Sequence, residues 1–119
     1  MADATLPDEL VELGQKLCAV LSLEAERYLQ HERPLIRLQD VRFSRVIDPA
    51  NGQPGYVGVW RDAQAQKRGS LTLNSDGSFH GEYDLLVLHP RRPGWFIEAV
   101  TVWGRDGLVK AEPRLLAAV

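Results

Sequence analysis

Cysteine is nearly absent from this chain, and the other shortages are equally informative. One cysteine in 119 residues, Cys18, excludes an intrachain disulfide and a zinc site of paired Cys and His. No apolar run approaches the roughly 18 residues needed to span a bilayer, and no charged-then-apolar leader opens the chain. A cytoplasmic protein without membrane contact is therefore expected. Charge of one sign is also missing. The formal net charge of −2 argues against a nucleic-acid platform, which works by neutralising phosphates. Lysine is scarce, three against eleven arginines, a usage typical of GC-rich bacterial genomes. No serine sits in a nucleophile elbow, and Gly52-Gln53-Pro54-Gly55 lacks the following helix of a phosphate cradle. There is no internal repeat and no low-complexity segment. No cofactor or metal is expected.

What is present fits one domain spanning residues 1–119. Met1 to Ala4 read as a loose tail. Thr5-Leu6-Pro7-Asp8 reads as a helix start, with Thr5 as the cap and Asp8, Glu9 and Glu12 at the positive end. Apolar residues at Leu10, Leu13, Leu17, Val20, Leu21 and Tyr28 predict an amphipathic helix over 5–32, because Arg33 precedes Pro34 and is pushed out of the α region. Cys18 falls on the apolar face of that helix. A buried, inert thiol is expected there, since a reactive one needs a cationic or exposed setting.

The remainder reads as an antiparallel sheet over 35–112. In Leu35 to Ile47, Ile36 and Leu38 have one parity and Val41, Phe43 and Ile47 the other, which predicts a bulge or break at Gln39-Asp40. Asp48 to Gly55 is a loop, Tyr56 to Arg61 a short strand, and Gly69 to Asn74 another. At Ser75-Asp76-Gly77, a three-residue loop with Gly77 in the left-handed region pairs Leu73 with Phe79 and Leu71 with Gly81. A two-residue turn would set Leu73 against His80, so the longer loop is expected. Phe79 to Trp103 forms the central hairpin around His89-Pro90-Arg91-Arg92-Pro93-Gly94. A further Asp106-Gly107 turn leads to Leu108 to Glu112. Pro113 is expected to end that strand and leave 113–119 as a tail.

The predicted fold is α+β: one long N-terminal helix on a curved five-stranded antiparallel β-meander. This gross order, helix first and then sheet, resembles cystatin-like arrangements.

His80, Glu82 and Asp84 alternate on one strand and so share a face. Convergent polar groups of this kind suit a ligand site or acid–base work, and Glu98 on the next strand is the natural fourth member. Their nearly 7 Å spacing along the strand is poor for a shared ion. For one loop length Asp84 lies directly opposite Glu98; one residue more separates them. The plain alternative is a solvent face. Yet Leu86 and Leu88 continue the same face, while Tyr83, Leu85 and Val87 point to the helix. The next strand is apolar on both sides, with Phe96, Val100 and Val102 on one and Trp95, Ile97, Ala99 and Trp103 on the other. A single helix covers one side only, so the other calls for sheet curvature, a ligand or a second molecule. Arg91 and Arg92 at the hairpin tip could grip an acidic partner.

Three functions compete. The first is a small non-catalytic protein-binding or adaptor domain, acting as a homodimer or on a protein partner through the sheet, with Leu86, Leu88, Arg91 and Arg92 as contact residues. The second is a small-molecule binder or enzyme with His80, Glu82, Asp84 and Glu98 lining a cavity in the curved sheet. The third, nucleic-acid binding through Arg37, Arg42, Arg45, Arg61, Arg91 and Arg92, is disfavoured by the charge balance.

Overall fold

A computed structural model describes residues 5–29, 36–49, 51–62 and 64–117. It contains helix α1 (Asp8–Glu26), a single 3-10 turn (Leu38–Asp40) and six strands: β1 (Arg42–Ile47), β2 (Pro54–Arg61), β3 (Lys67–Asn74), β4 (Ser78–Leu88), β5 (Trp95–Arg105) and β6 (Leu108–Ala117). The strands form one antiparallel sheet in chain order, β1-β2-β3-β4-β5-β6. The strand count is thus six rather than five; the first strand lies after the break at Leu38–Asp40 and pairs along its whole length, Arg42 with Val59 through Ile47 with Pro54. The expected tail at Met1 to Ala4 lies outside the described residues.

Helix α1 is shorter than its sequence pattern. Pro7, not Thr5, occupies the N-cap, and no side chain caps the helix. Its carbonyl instead receives the Leu10 N–H at 2.9 Å, which starts the helical ladder without a cap. At the other end the N–H groups of Tyr28 and Leu29 both donate to the Ala25 carbonyl, at 3.0 and 3.1 Å. This tightening ends the helix at Glu26 and turns Tyr28 into the core, edge-on to His89. The buried stripe runs through Leu17, Cys18, Leu21 and Ala25, with Leu10, Leu13 and Val20 packed along its margin. Nineteen residues give roughly 28 Å of helix, enough to cross the middle of the sheet.

The break before β1 falls where parity demands it. The 3-10 turn rephases the chain, so Ile36, Val41 and Phe43 all reach the core. Ile47, expected to be buried with them, is 58% exposed. It pairs with Pro54 at the end of the edge strand. Between β3 and β4 the register is Leu73 with Phe79 and Leu71 with Gly81, as the three-residue loop requires. Gly77 has φ 88°, and Asp76 Oδ1 accepts from both the N–H and the hydroxyl of Ser78. Gly81 lies beneath the helix. A methyl group there would stand 2.6 Å from Leu71 and 3.3 Å from Leu21. The helix can seat closely on β4 because this position has no side chain.

β6 does not stop at Pro113. The proline pairs with Val100, and the strand continues to Ala117 opposite Trp95. β6 is an edge strand, where alternate residues turn their N–H toward solvent, so a residue without a donor costs no ladder bond.

The inner face of the sheet packs on α1 through Leu71, Leu73, Phe79, Tyr83, Leu85, Ile97, Val100 and Val102. Ile97 shares this face with Val100 and Val102, and Phe96 does not. The cause is an irregularity in β5. Ile97 pairs with Leu115 but Ala99 with Arg114, so Glu98 is the extra residue of a bulge that reverses the parity of everything before it.

Candidate functional site on the outer sheet face

The face of β4–β6 turned away from α1 carries two adjoining features. The first is a charged cluster. His80, Glu82 and Asp84 share the outer face of β4, opposite Trp103, Thr101 and Ala99 of β5. Asp84 therefore faces Ala99 and not Glu98. Glu98 reaches the cluster through the bulge, and the residue that joins them is Arg114, a position the sequence reading passed over. Its Nη1 donates to Glu82 at 3.0 Å and its Nε to Glu98 at 3.0 Å. One guanidinium thereby links β4, β5 and β6. Arg114 became visible as a site residue only once β6 was seen to run past Pro113.

The electrostatics follow from this arrangement. Partial burial raises the Asp84 pKa above the ordinary carboxylate range, and the Glu82 carboxylate beside it adds to the effect. Lys67 and Arg114 pull the other way without cancelling it. The paired carboxylates hold the Arg114 guanidinium even further above its usual value. Among the described residues, no group of three or more His, Cys, Asp and Glu side chains is arranged to hold a metal ion. The carboxylates here converge on a guanidinium instead. His80 is exposed at the other end of the row, beside Trp103.

The second feature is apolar. Leu88 pairs with Phe96 and Phe96 with Leu116, so three apolar side chains form one row across three strands. Leu88 is 67% exposed and Leu116 48% exposed, with Leu86 beside them at 66%. Leu86 has φ 50°, left-handed backbone uncommon for a leucine, at the point where the β4–β5 register shifts. Burial of these side chains in the core would have been the ordinary outcome for apolar residues on a central hairpin.

Beyond the row lies the hairpin tip. The Arg91 N–H donates to His89 Nδ1 at 3.0 Å, and the Arg92 guanidinium stands 4.6 Å over the Trp95 ring. Arg92 is thus held against Trp95, while Arg91 is exposed. The other arginines named for nucleic acid do not share one surface. Arg42 and Arg45 project from opposite faces of β1, and Arg37 is paired with Asp40 at 3.0 Å.

A separate apolar groove of about 970 Å³ runs between α1 and the segment from Ile36 to Phe43. Its walls include Leu6, Val11, Cys18, Leu23, Ile36 and Val41, and none of His80, Glu82, Asp84 or Glu98 lines it. Cys18 is 2% exposed, and burial pushes its thiol pKa up to about 11, so the thiol stays protonated. Ser22 closes this region. Its hydroxyl donates to the Cys18 carbonyl at 2.8 Å and accepts the Ile36 N–H at 3.0 Å.

Among the described residues no helix is long and apolar enough to cross a membrane. No protein-family model, no curated protein and no solved structure matches this chain.

Proposed function

We propose that this protein is a small non-catalytic protein-binding or adaptor domain that docks a protein through the outer face of β4–β6. The observation that carries this reading is the apolar row Leu88–Phe96–Leu116, with Leu88 and Leu116 exposed and Phe96 half-buried between them, flanked by exposed Leu86 on a sheet whose other face is taken by α1. Apolar side chains grouped on one face, with charges at the margin, have the composition of an interface centre and rim. The candidate residues His80, Glu82, Asp84 and Glu98 lie beside that row and serve as its polar border. Leu86, Leu88, Arg91 and Arg92 supply the anchors and the basic tip. The helix-then-meander order supports a cystatin-like gross arrangement as the scaffold.

Affinity capture from extracts of the source cell, with the wild-type chain and Leu88→Asp as baits, tests the proposal. The expected result is a protein retained by the wild type and lost with Leu88→Asp, while the circular dichroism of the two baits agrees. A retained protein indifferent to Leu88→Asp overturns the choice of face.

A second reading, small-molecule binding, is favoured by the apolar groove beside α1 and not by the polar row expected from the sequence. It predicts a retained apolar mass in native mass spectrometry that survives His80→Ala. A bare chain in that measurement removes it.

A further inference from the structure

We infer that the free edge of β1 is a docking site for an extended peptide segment, which adds to the sheet as a further strand and presents apolar, acidic and apolar side chains at alternate positions. The inference goes beyond the outer-face reading, because it uses another edge of the molecule. It also gives the groove beside α1 a peptide in place of a small molecule.

A sheet built in chain order has two edges, β1 and β6. An antiparallel edge strand leaves the N–H and C=O of every second residue without a ladder partner, and these groups recruit another strand unless something blocks them. In β6 the run of donors is interrupted by Pro113. In β1, Arg42 to Ile47 contain no proline, and the register with β2 runs without a shift. Among the described residues no strand pairs with the far side of β1. Its one guard is charge, Arg42 and Arg45, and charge selects among partners where a proline would exclude them all.

The inner side of the same edge has room for side chains. The Phe43 ring folds inward over Gly58, its cross-strand neighbour, where an added methyl group would stand 2.6 Å from the ring. Drawn back toward β2, the ring forms one wall of the groove of about 970 Å³, whose opposite wall includes Val11, Ala19 and Leu23 of α1. Leu23 is 64% exposed. An open edge strand with an apolar groove between it and a helix has the parts that strand addition uses: backbone bonds give affinity, and room for alternate side chains gives selectivity.

The side chains of β1 on this face set the sequence of the partner. Phe43, Arg45 and Ile47 alternate along the inner side. Phe43 borders the groove, Arg45 is exposed, and Ile47 is left exposed at the end of the strand. Cross-strand neighbours favour apolar beside apolar and opposite charge beside charge. An added strand therefore matches this row with an apolar residue, a carboxylate and an apolar residue at every second position. The pattern reads the same in both directions, so it suits parallel and antiparallel addition alike.

Other occupants lack a part of this. A small apolar ligand fills the groove and leaves the backbone row and Arg45 unmatched. A basic peptide meets Arg42 and Arg45 with like charge. A second copy brings the same two arginines to the seam.

Fluorescence anisotropy with a labelled peptide of about nine residues tests the inference. The peptide carries leucine, glutamate and leucine at alternate central positions, with serine and threonine between them. Binding in the micromolar range is expected. Arg45→Glu, a change at an exposed position, is expected to weaken it by about tenfold or more, and a peptide with lysine in place of the glutamate is expected to bind that variant in its stead. Two N-methylated peptides read the backbone bonds. Methyl groups on one alternate set of amides face β1 and abolish binding, while those on the other set face away and change it by less than about twofold. Leu88→Asp is expected to leave the affinity unchanged.

No binding up to about 1 mM overturns the inference. Binding indifferent to both methylated sets shows apolar side chains entering the groove without an added strand, and overturns it as well. So does binding indifferent to Arg45→Glu, or binding lost with Leu88→Asp, which would lie on the outer face. A chain that is dimeric by light scattering and ignores the peptide assigns the edge to a second copy. Capture of a protein through Leu88 stands or falls by its own variant, whatever the peptide does.

Discussion

Asp84 and Cys18 are both shifted toward their protonated forms by burial, with different consequences. For Asp84 the neighbouring Glu82 adds to the effect, so the folded chain holds a proton that the unfolded chain releases at ordinary carboxylate pH. A raised carboxylate pKa means the fold loses stability as pH rises through the window from the ordinary aspartate value to the raised one. Asp84→Asn removes that penalty. It is expected to stabilise the protein at neutral pH by about 0.5 kcal/mol, the scale of a like-charge pair on a sheet. The gain should shrink to nothing as pH falls below the usual aspartate range, and denaturant melts at pH 7 and pH 3 measure it. Cys18 needs no neighbour. Its pKa of about 11 comes from burial alone, so its thiol is protonated at any physiological pH. A thiol-reactive reagent at pH 8 is expected to label it at the rate of unfolding and not of simple collision, a difference visible by comparing native and urea-treated chains.

Within the elements, one side chain on the outer face links β4, β5 and β6 in addition to their backbone ladders. Arg114 bonds Glu82 on one neighbour strand and Glu98 on another, both at 3.0 Å. The pairs are partly exposed, so their contribution is modest. Removing the arginine does more than delete two bonds, because Glu82, Asp84 and Glu98 are then left facing one another. Arg114→Ala is expected to cost about 1 kcal/mol at pH 7 and markedly less at pH 3, where the carboxylates are protonated; chemical denaturation at the two values gives the difference. Lower in the same hairpin, Gly81→Ala tests how α1 is seated. The added methyl group has Leu71 at 2.6 Å, and Leu71 is fully buried and has nowhere to move. A loss of roughly 1–3 kcal/mol is expected, with the fold retained, as for other overpacked cores.

At the scale of the whole molecule, the described residues give one helix for a six-stranded sheet, and that ratio decides its surfaces. α1 lies mainly on β4, β5 and β6, so the inner face toward β1 is bordered by an open groove, and among the described residues no element covers the outer face.

Local patterns in the sequence determined a good deal. The 3.6-residue stripe placed the buried side of α1, and the parity change at Gln39-Asp40 located the break before β1. The choice between two turn lengths at Ser75-Asp76-Gly77 set the β3–β4 register correctly, because only one length joins apolar residues to apolar residues. His80, Glu82 and Asp84 were placed together because alternation along one strand is local geometry. The contacts between strands were beyond such patterns. A bulge at Glu98 reverses parity before it, and nothing in WFIEAV marks which residue is the extra one. Pro113 reads as a terminator until β6 is known to be an edge, where its missing donor costs nothing. Arg114 lies one residue past that proline, so its bond to both carboxylates, and with it the polar half of the outer face, existed only once the sheet was assembled. The exposure of Leu86, Leu88 and Leu116 was decided in the same way, since a residue's burial depends on what the rest of the chain has left over to cover it.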